Sequence, residues 1–303
     1  MQFEESYFRG EELEGFFVEE KMKRAWAAQL EVLKGVERIC GKYGLRYYAG
    51  YGTLLGAVRH KGFIPWDDDL DIFMLRDDYE GFLKVIQQEM EPGYALLNIY
   101  LEEDYGEVFS RIVNSRNISF TKEYLERYHG CPYVVGVDIF PLDFIPRDPQ
   151  EDALRQELYR YVLSVKRIAV DRAGCLDEEL NDMLDQTEEL CSVKISRDKT
   201  VIRQLIILLD RLSSLYCREE SDEVAILHSN VNNFTRRMKV EWFDETIWMP
   251  FENTSIAVPC NYDECLKAIY GPSYMTPVQF KAHDYPFYRK QDEILEALMK
   301  ETK

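Results

Sequence analysis

No stretch of this chain reaches the roughly 18 to 20 uninterrupted apolar residues that a membrane-spanning helix needs. The nearest approach, LIILL at 205–209, is bounded by Arg203 and Asp210. Positive charge is also scarce: 37 Lys and Arg stand against 55 Asp and Glu, a formal net charge of −18. Sequence-independent nucleic-acid binding needs an electropositive surface that displaces counterions, so no nucleic-acid partner is expected. Seven cysteines, at 40, 131, 175, 191, 217, 260 and 265, form no CxxC pair and have no histidine at zinc-site spacing. They read as reduced thiols rather than a disulfide frame or a structural zinc site. The N-terminal MQFEESYFRGEELEGFF lacks the basic and apolar regions of a secretory signal. Cytoplasmic residence is expected, with peripheral attachment to the inner face of a membrane as its variant. There are no internal repeats and no low-complexity tract.

What the chain does have is concentrated in residues 50–74, GYGTLLGAVRHKGFIPWDDDLDIFM. Gly50, Gly52 and Gly56 bracket a turn where a missing Cβ lets backbone approach a ligand or adopt positive φ. Thr53 is placed to cap the helix that TLLGAV begins. A helix N-terminus preceded by glycines offers free N–H groups and a positive dipole end to a phosphate. Arg59 and His60 follow, then FIPW, where Pro65 fixes its own φ and pushes Ile64 toward extended structure.

The aspartates come next. In a strand, residues i and i+2 share a face, so Asp69 and Asp71 project together, with Cα atoms roughly 6.5 to 7 Å apart. Two carboxylates facing one spot repel unless a proton or cation intervenes. Mg²⁺, with Mn²⁺ as the alternative, suits such a site, because it takes oxygen ligands from one or two carboxylates together with substrate phosphates. An EF-hand loop is excluded: counting from Asp67, its required glycine and glutamate positions hold Ile72 and Asp78. An acidic run is often only solvated, but this one leads into an apolar strand beside glycine-rich and basic elements.

The string GTLLGAVRHKGFIPWDDDLDI resembles the signature of the LicD family, bacterial phosphocholine transferases whose relatives include the fukutin-related phosphotransferases. FSRIVNSRNISF at 109–120, GVDIFPLDFIP at 136–146 and VPCNYDECLKAIYGPSYMTP at 258–277 resemble further family segments in order. The resemblance implies an α+β, nucleotidyltransferase-like core in which a small mixed sheet carries a DxD pair and a third acidic residue on a neighbouring strand. Asp69 and Asp71 occupy the pair, and Asp138 is the expected third carboxylate, as metal ligand or proton acceptor, with Asp143 as runner-up. Gly52, Thr53, Arg59, Arg111 and His283 are the expected donor-binding residues. Arg111 stands where the family commonly has lysine, and Pro272 and Ser273 follow YG where it usually has an acid. The implied reaction moves a substituted phosphate, phosphocholine from CDP-choline, to a hydroxyl of a glycan or lipid-linked glycan. Nucleotidyl or alditol-phosphate transfer, and a catalytically inactive binding module, are the alternatives.

Around this segment, Met22, Trp26, Leu30, Leu33, Val36 and Ile39 recur at helical spacing, predicting a helix over 18–44 that Gly41 and Gly44 end. A second helix spans 77–90, and strands are expected near 94–100, 107–114 and 134–140. The spacing over about 148–220 predicts helices. One domain over 1–303 is expected, comprising a core at 18–147, a helical insertion at 148–235, and a C-terminal hairpin and helices at 236–303. Within that last part, 247–259 predicts a hairpin, with short helices at NYDECLKAIYG and QDEILEALMK. Arg116 and His60 read as exposed polar residues, and Tyr270 and Gly271 as a helix end.

Overall fold

The computed structural model of the protein describes residues 1–230, 236–279 and 285–301. A short hairpin, β1 (Glu11–Leu13) and β2 (Phe16–Val18), leads into the long helix α1 (Glu20–Tyr43). The apolar stripe of α1 is buried from Met22 to Cys40, and Gly44 stops the helix in the left-handed region, its N–H donating to the Cys40 carbonyl. Then come β3 (Tyr48–Ala49), α2 (Tyr51–Arg59), β4 (Asp71–Leu75), α3 (Arg76–Glu89), β5 (Ala95–Leu97), β6 (Ser110–Val113), α4 (Lys122–Arg127) and β7 (Gly136–Pro146). The sheet runs β3-β4-β7-β6-β5, mixed as expected: β4 and β7 are parallel, the other pairs antiparallel.

The register decides where the chemistry lies. Asp71 pairs with Asp138 across β4 and β7, and Arg111 pairs with Asp138 across β6 and β7. Side chains at paired positions share a face, so Asp71, Asp138 and Arg111 form one row across the sheet. β7 is longer than its expected 134–140. Proline lacks the N–H that a ladder needs, but pairing with β6 ends at Ile139 and pairing with β8 (Ser221–Ala225) begins at Asp143, so Pro141 falls between them. Pro146 falls at the register shift between Ile145 and Pro146.

The 148–220 stretch forms α5 (Pro149–Asp171), α6 (Glu178–Cys191) and α7 (Val201–Ser213). These helices bury their own cluster, including Tyr159, Val162, Leu180, Leu184, Leu205 and Leu209. Residues 221–225, grouped with the helices on sequence, instead return as β8 to pair with β7 and with β9 (Met238–Lys239); the short α8 (Leu227–Asn230) lies between the two strands. The expected hairpin is β10 (Thr246–Phe251) and β11 (Thr254–Pro259), turning at Glu252 and Asn253, and it precedes α9 (Tyr262–Tyr270) and α10 (Arg289–Glu301). No helix among the described residues is long and apolar enough to cross a membrane.

Candidate active site

The glycine turn is stitched to the first residue of β4. Gly50 caps α2 without a side-chain bond, and its N–H donates to the Asp71 carbonyl at 2.9 Å. The Asp71 N–H donates to Thr53 Oγ1 at 2.8 Å. This corrects the expected role of Thr53: the helix begins two residues earlier, at Tyr51, and the buried Thr53 hydroxyl ties helix to strand instead of capping. Tyr51, between the two glycines, takes φ of 35°, a conformation that costs a non-glycine residue energy. Its ring meets Phe73 and Phe140 edge-on, at 4.9 and 5.2 Å between centroids. At Gly52 a Cβ would collide with Oδ2 of Asp67, so only glycine lets that carboxylate reach the first turn of α2. Gly52→Ala is therefore expected to displace Asp67 and lower turnover at least about tenfold while the protein stays folded; steady-state kinetics alongside circular dichroism checks this.

The aspartate run is held from behind by α1. Trp26 Nε1 donates to the Asp67 carbonyl at 3.1 Å and Gln29 Nε2 to the Asp68 carbonyl at 2.7 Å. The Asp68 carboxylate turns to the C-terminal segment and accepts from the Phe287 N–H at 2.5 Å. Asp69 does not lie in the strand, which starts at Asp71. Asp67, Asp68 and Asp69 each offer an oxygen within 4.8 Å of the others, a set of hard ligands that can hold a metal ion. Burial pushes the Asp71 carboxyl up from the usual aspartate range, and the charges of Asp69, Asp138 and Asp67 push it further. Burial and Asp69 do the same to Asp67. Carboxyls so crowded bind a proton or a cation more readily than water-exposed ones. That crowding fits a divalent cation.

The basic residues divide. Arg111 spans both oxygens of Asp138, Nε to one and an Nη to the other at 2.5 Å, so the two expected site residues meet each other. Arg59 lines the cleft described below, donates to the Tyr274 carbonyl at 2.9 Å, and has its pKa lowered by burial. His60, expected to point outward, is instead tucked in: its side chain is 9% exposed, meets Trp66 edge-on, and faces Glu14 at 3.4 Å. Burial and then Arg59 lower its pKa. Arg116 is exposed and pairs with Glu102. His283 lies outside the described residues. Asp143 belongs to a different cluster, bound by Arg76 at 2.7 Å in the interior.

A cleft of about 460 Å³ collects Gly52, Arg59, Asp67, Asp69 and Asp71. Sequence reasoning missed the aromatic part of its wall: Tyr51, Trp66, Tyr270, Tyr274 and Tyr285. Tyr270, read as a plain helix end, is 43% exposed and faces the cleft, where burial and then the charges of Asp67 and Asp71 raise its pKa. A broader basin of about 810 Å³ near the far end of β7 carries Arg147, Arg218, Arg237 and Lys239. Each of these cations is ion-paired, to Asp222, Asp244, Asp152 and Glu241 respectively, so the basin offers no comparable convergence of charge.

Residues 44–146, which contain the glycine turn, the aspartate run and Asp138, match the family described as LicD/FKTN/FKRP, nucleotidyltransferase domain. Over 254 residues, 82% of this chain and 89% of the relative, the sequence is 28% identical to the lipopolysaccharide cholinephosphotransferase LicD of Haemophilus influenzae. Uncharacterized proteins of Rickettsia typhi and Rickettsia prowazekii are 39% and 38% identical over 66 residues, which is 22% of this chain and 21% and 25% of theirs. Residues 44–146 thus match a LicD/FKTN/FKRP nucleotidyltransferase domain, and most of the chain is similar to a LicD-type transferase.

Proposed function

We propose that this protein transfers phosphocholine from CDP-choline to a hydroxyl of a glycan or lipid-linked glycan precursor, using Mg²⁺ or Mn²⁺. The observation that carries the reading is the meeting of Asp67, Asp69 and Asp71 with Arg59 in one cleft along α2. The likeness to a lipopolysaccharide cholinephosphotransferase over most of both chains supports the choice of donor and acceptor.

Asp69 and Asp71, with Asp67 beside them, would hold the cation, which when bound supplies positive charge to the donor's diphosphate. Arg59 approaches the same diphosphate from the side of α2, where its guanidinium can grip two phosphate oxygens. The acceptor oxygen forms a bond to the choline-bearing phosphorus, the diphosphate P–O bond breaks, and CMP leaves. Asp138 takes the hydroxyl proton, with Arg111 fixing its orientation beside Asp71. Little covalent chemistry falls to the protein in such a transfer, so positioning and charge stabilisation supply the rate.

The test supplies purified protein with Mg²⁺, a lipooligosaccharide acceptor, and CDP-choline, CDP-glycerol or CDP-ribitol in turn. CMP release with CDP-choline, a phosphocholine mass increment on the acceptor, and loss of both on chelation are expected. Turnover of an alditol donor in place of CDP-choline, or turnover indifferent to chelation, would contradict the reading.

A further inference from the structure

The cleft is lined by two chemically distinct sets of side chains. The aspartates, Gly52 and Arg59 supply the polar part of its lining, and Trp66, Tyr270, Tyr274 and Tyr285 stand among them as the aromatic part. Three of these rings are braced by neighbouring side chains. Trp66 and Tyr285 both stand against Phe16, edge-on at 6.3 and 5.6 Å between centroids, and His60 meets the Trp66 ring from another side. Tyr274 is tied at two points: its hydroxyl donates to Asp263 and its carbonyl accepts from Arg59. Tyr270 is 43% exposed, and an aromatic side chain left that open beside three carboxylates contributes little to the core.

We infer that Trp66, Tyr270, Tyr274 and Tyr285 form the head-group subsite, an aromatic box that takes the quaternary ammonium of the donor. This deepens the donor reading above and rests on it. Ring faces attract a cation that cannot donate a hydrogen bond, and they do so best when water is excluded. An alditol head group has the opposite needs, since each of its hydroxyls loses water hydrogen bonds on burial and must regain partners. The Tyr274 hydroxyl, for one, is already committed to Asp263. The ethylene tether of choline keeps the ammonium close to its phosphate, which matches rings and carboxylates sharing one cleft.

The discriminating experiment measures binding calorimetrically, with Mg²⁺ present, for CDP-choline and for CDP, which lacks the head group. Wild type should bind CDP-choline more tightly than CDP. Tyr270→Leu, at an exposed position where folding is not at stake, should weaken CDP-choline about 3- to 30-fold and leave CDP unchanged. Tyr270→Phe should restore the affinity, because it keeps the ring, and Trp66→Leu should act in the same direction as Tyr270→Leu. Equal weakening of both ligands, or of neither, would overturn the subsite. The two readings fail separately. A protein that prefers CDP-choline through Tyr270 but releases no CMP refutes the transfer and keeps the box; one that releases CMP from CDP-choline with Tyr270→Leu unaffected does the reverse.

Discussion

Asp71→Asn should fold, resist heat better than wild type when metal is removed, and turn over about 10² to 10⁴ times more slowly. The two effects share a cause. Asp71 is buried among Asp69, Asp138 and Asp67, and its carboxyl is raised by burial and by those charges. A carboxyl raised in the folded state favours folding below its unfolded value, and that contribution is lost as pH rises through the folded value. The metal-free protein is therefore strained at neutral and alkaline pH by charge that a cation would neutralise. Asparagine keeps the shape without the charge, so the strain disappears. The backbone bonds from Asp71 to Thr53 and Gly50 do not involve the side chain and survive. Thermal unfolding in chelator at pH 8, with steady-state kinetics in Mg²⁺, measures both halves. A variant as unstable as wild type in chelator would mean that the carboxylates do not crowd one another.

The largest loss of stability is expected far from the cleft, at Arg76→Met. Arg76 lies in the interior, 4% exposed, and donates to Asp143 at 2.7 Å and to Asp210 at 3.0 Å. Tyr100 donates to the other Asp210 oxygen at 2.5 Å, so the cluster joins α3, β7, the loop after β5 and α7. Burial already pushes the Asp143 carboxyl up to about 6 despite the guanidinium. Removing Arg76 leaves two carboxylates facing each other without a cation, which costs about 3 to 5 kcal/mol for a buried pair broken from one side. Urea denaturation should show that loss. Asp143→Asn is expected to lower stability while the surviving folded protein keeps its turnover, separating Asp143 from the carboxylates at the cleft.

The part of this organisation visible in the sequence was the part set by local periodicity. Trp26 and Leu30 announce the buried stripe of α1, and the apolar run IFML announces β4, which is buried throughout. The glycines of 50–56 mark a close backbone approach, though not that Asp67 is what approaches. Thr53 shows the limit: a threonine before an apolar run looks like a cap, and only the strand packed beside it reveals that Asp71 is its partner. Non-local pairing hid the rest. Asp68 meets Phe287 across 219 residues, Trp66 and Tyr285 are joined through Phe16, and none of these encounters leaves a spacing rule in the chain. The end of β7 lay beyond the expected 134–140 because two prolines argue against a strand, and only the gap between β6 and β8 at Pro141 and the register shift at Pro146 accommodate them.

The central claim is that the aspartates at 67–71 hold one divalent site on which the donor's diphosphate rests. Anomalous scattering from a crystal grown with Mn²⁺ and CDP-choline addresses it directly. A manganese peak within ligand distance of Asp69 and Asp71 and beside the donor's phosphates is expected, and no such peak in Asp71→Asn. Manganese bound elsewhere, or donor phosphates seated in the cleft with no cation between them and these carboxylates, would contradict it.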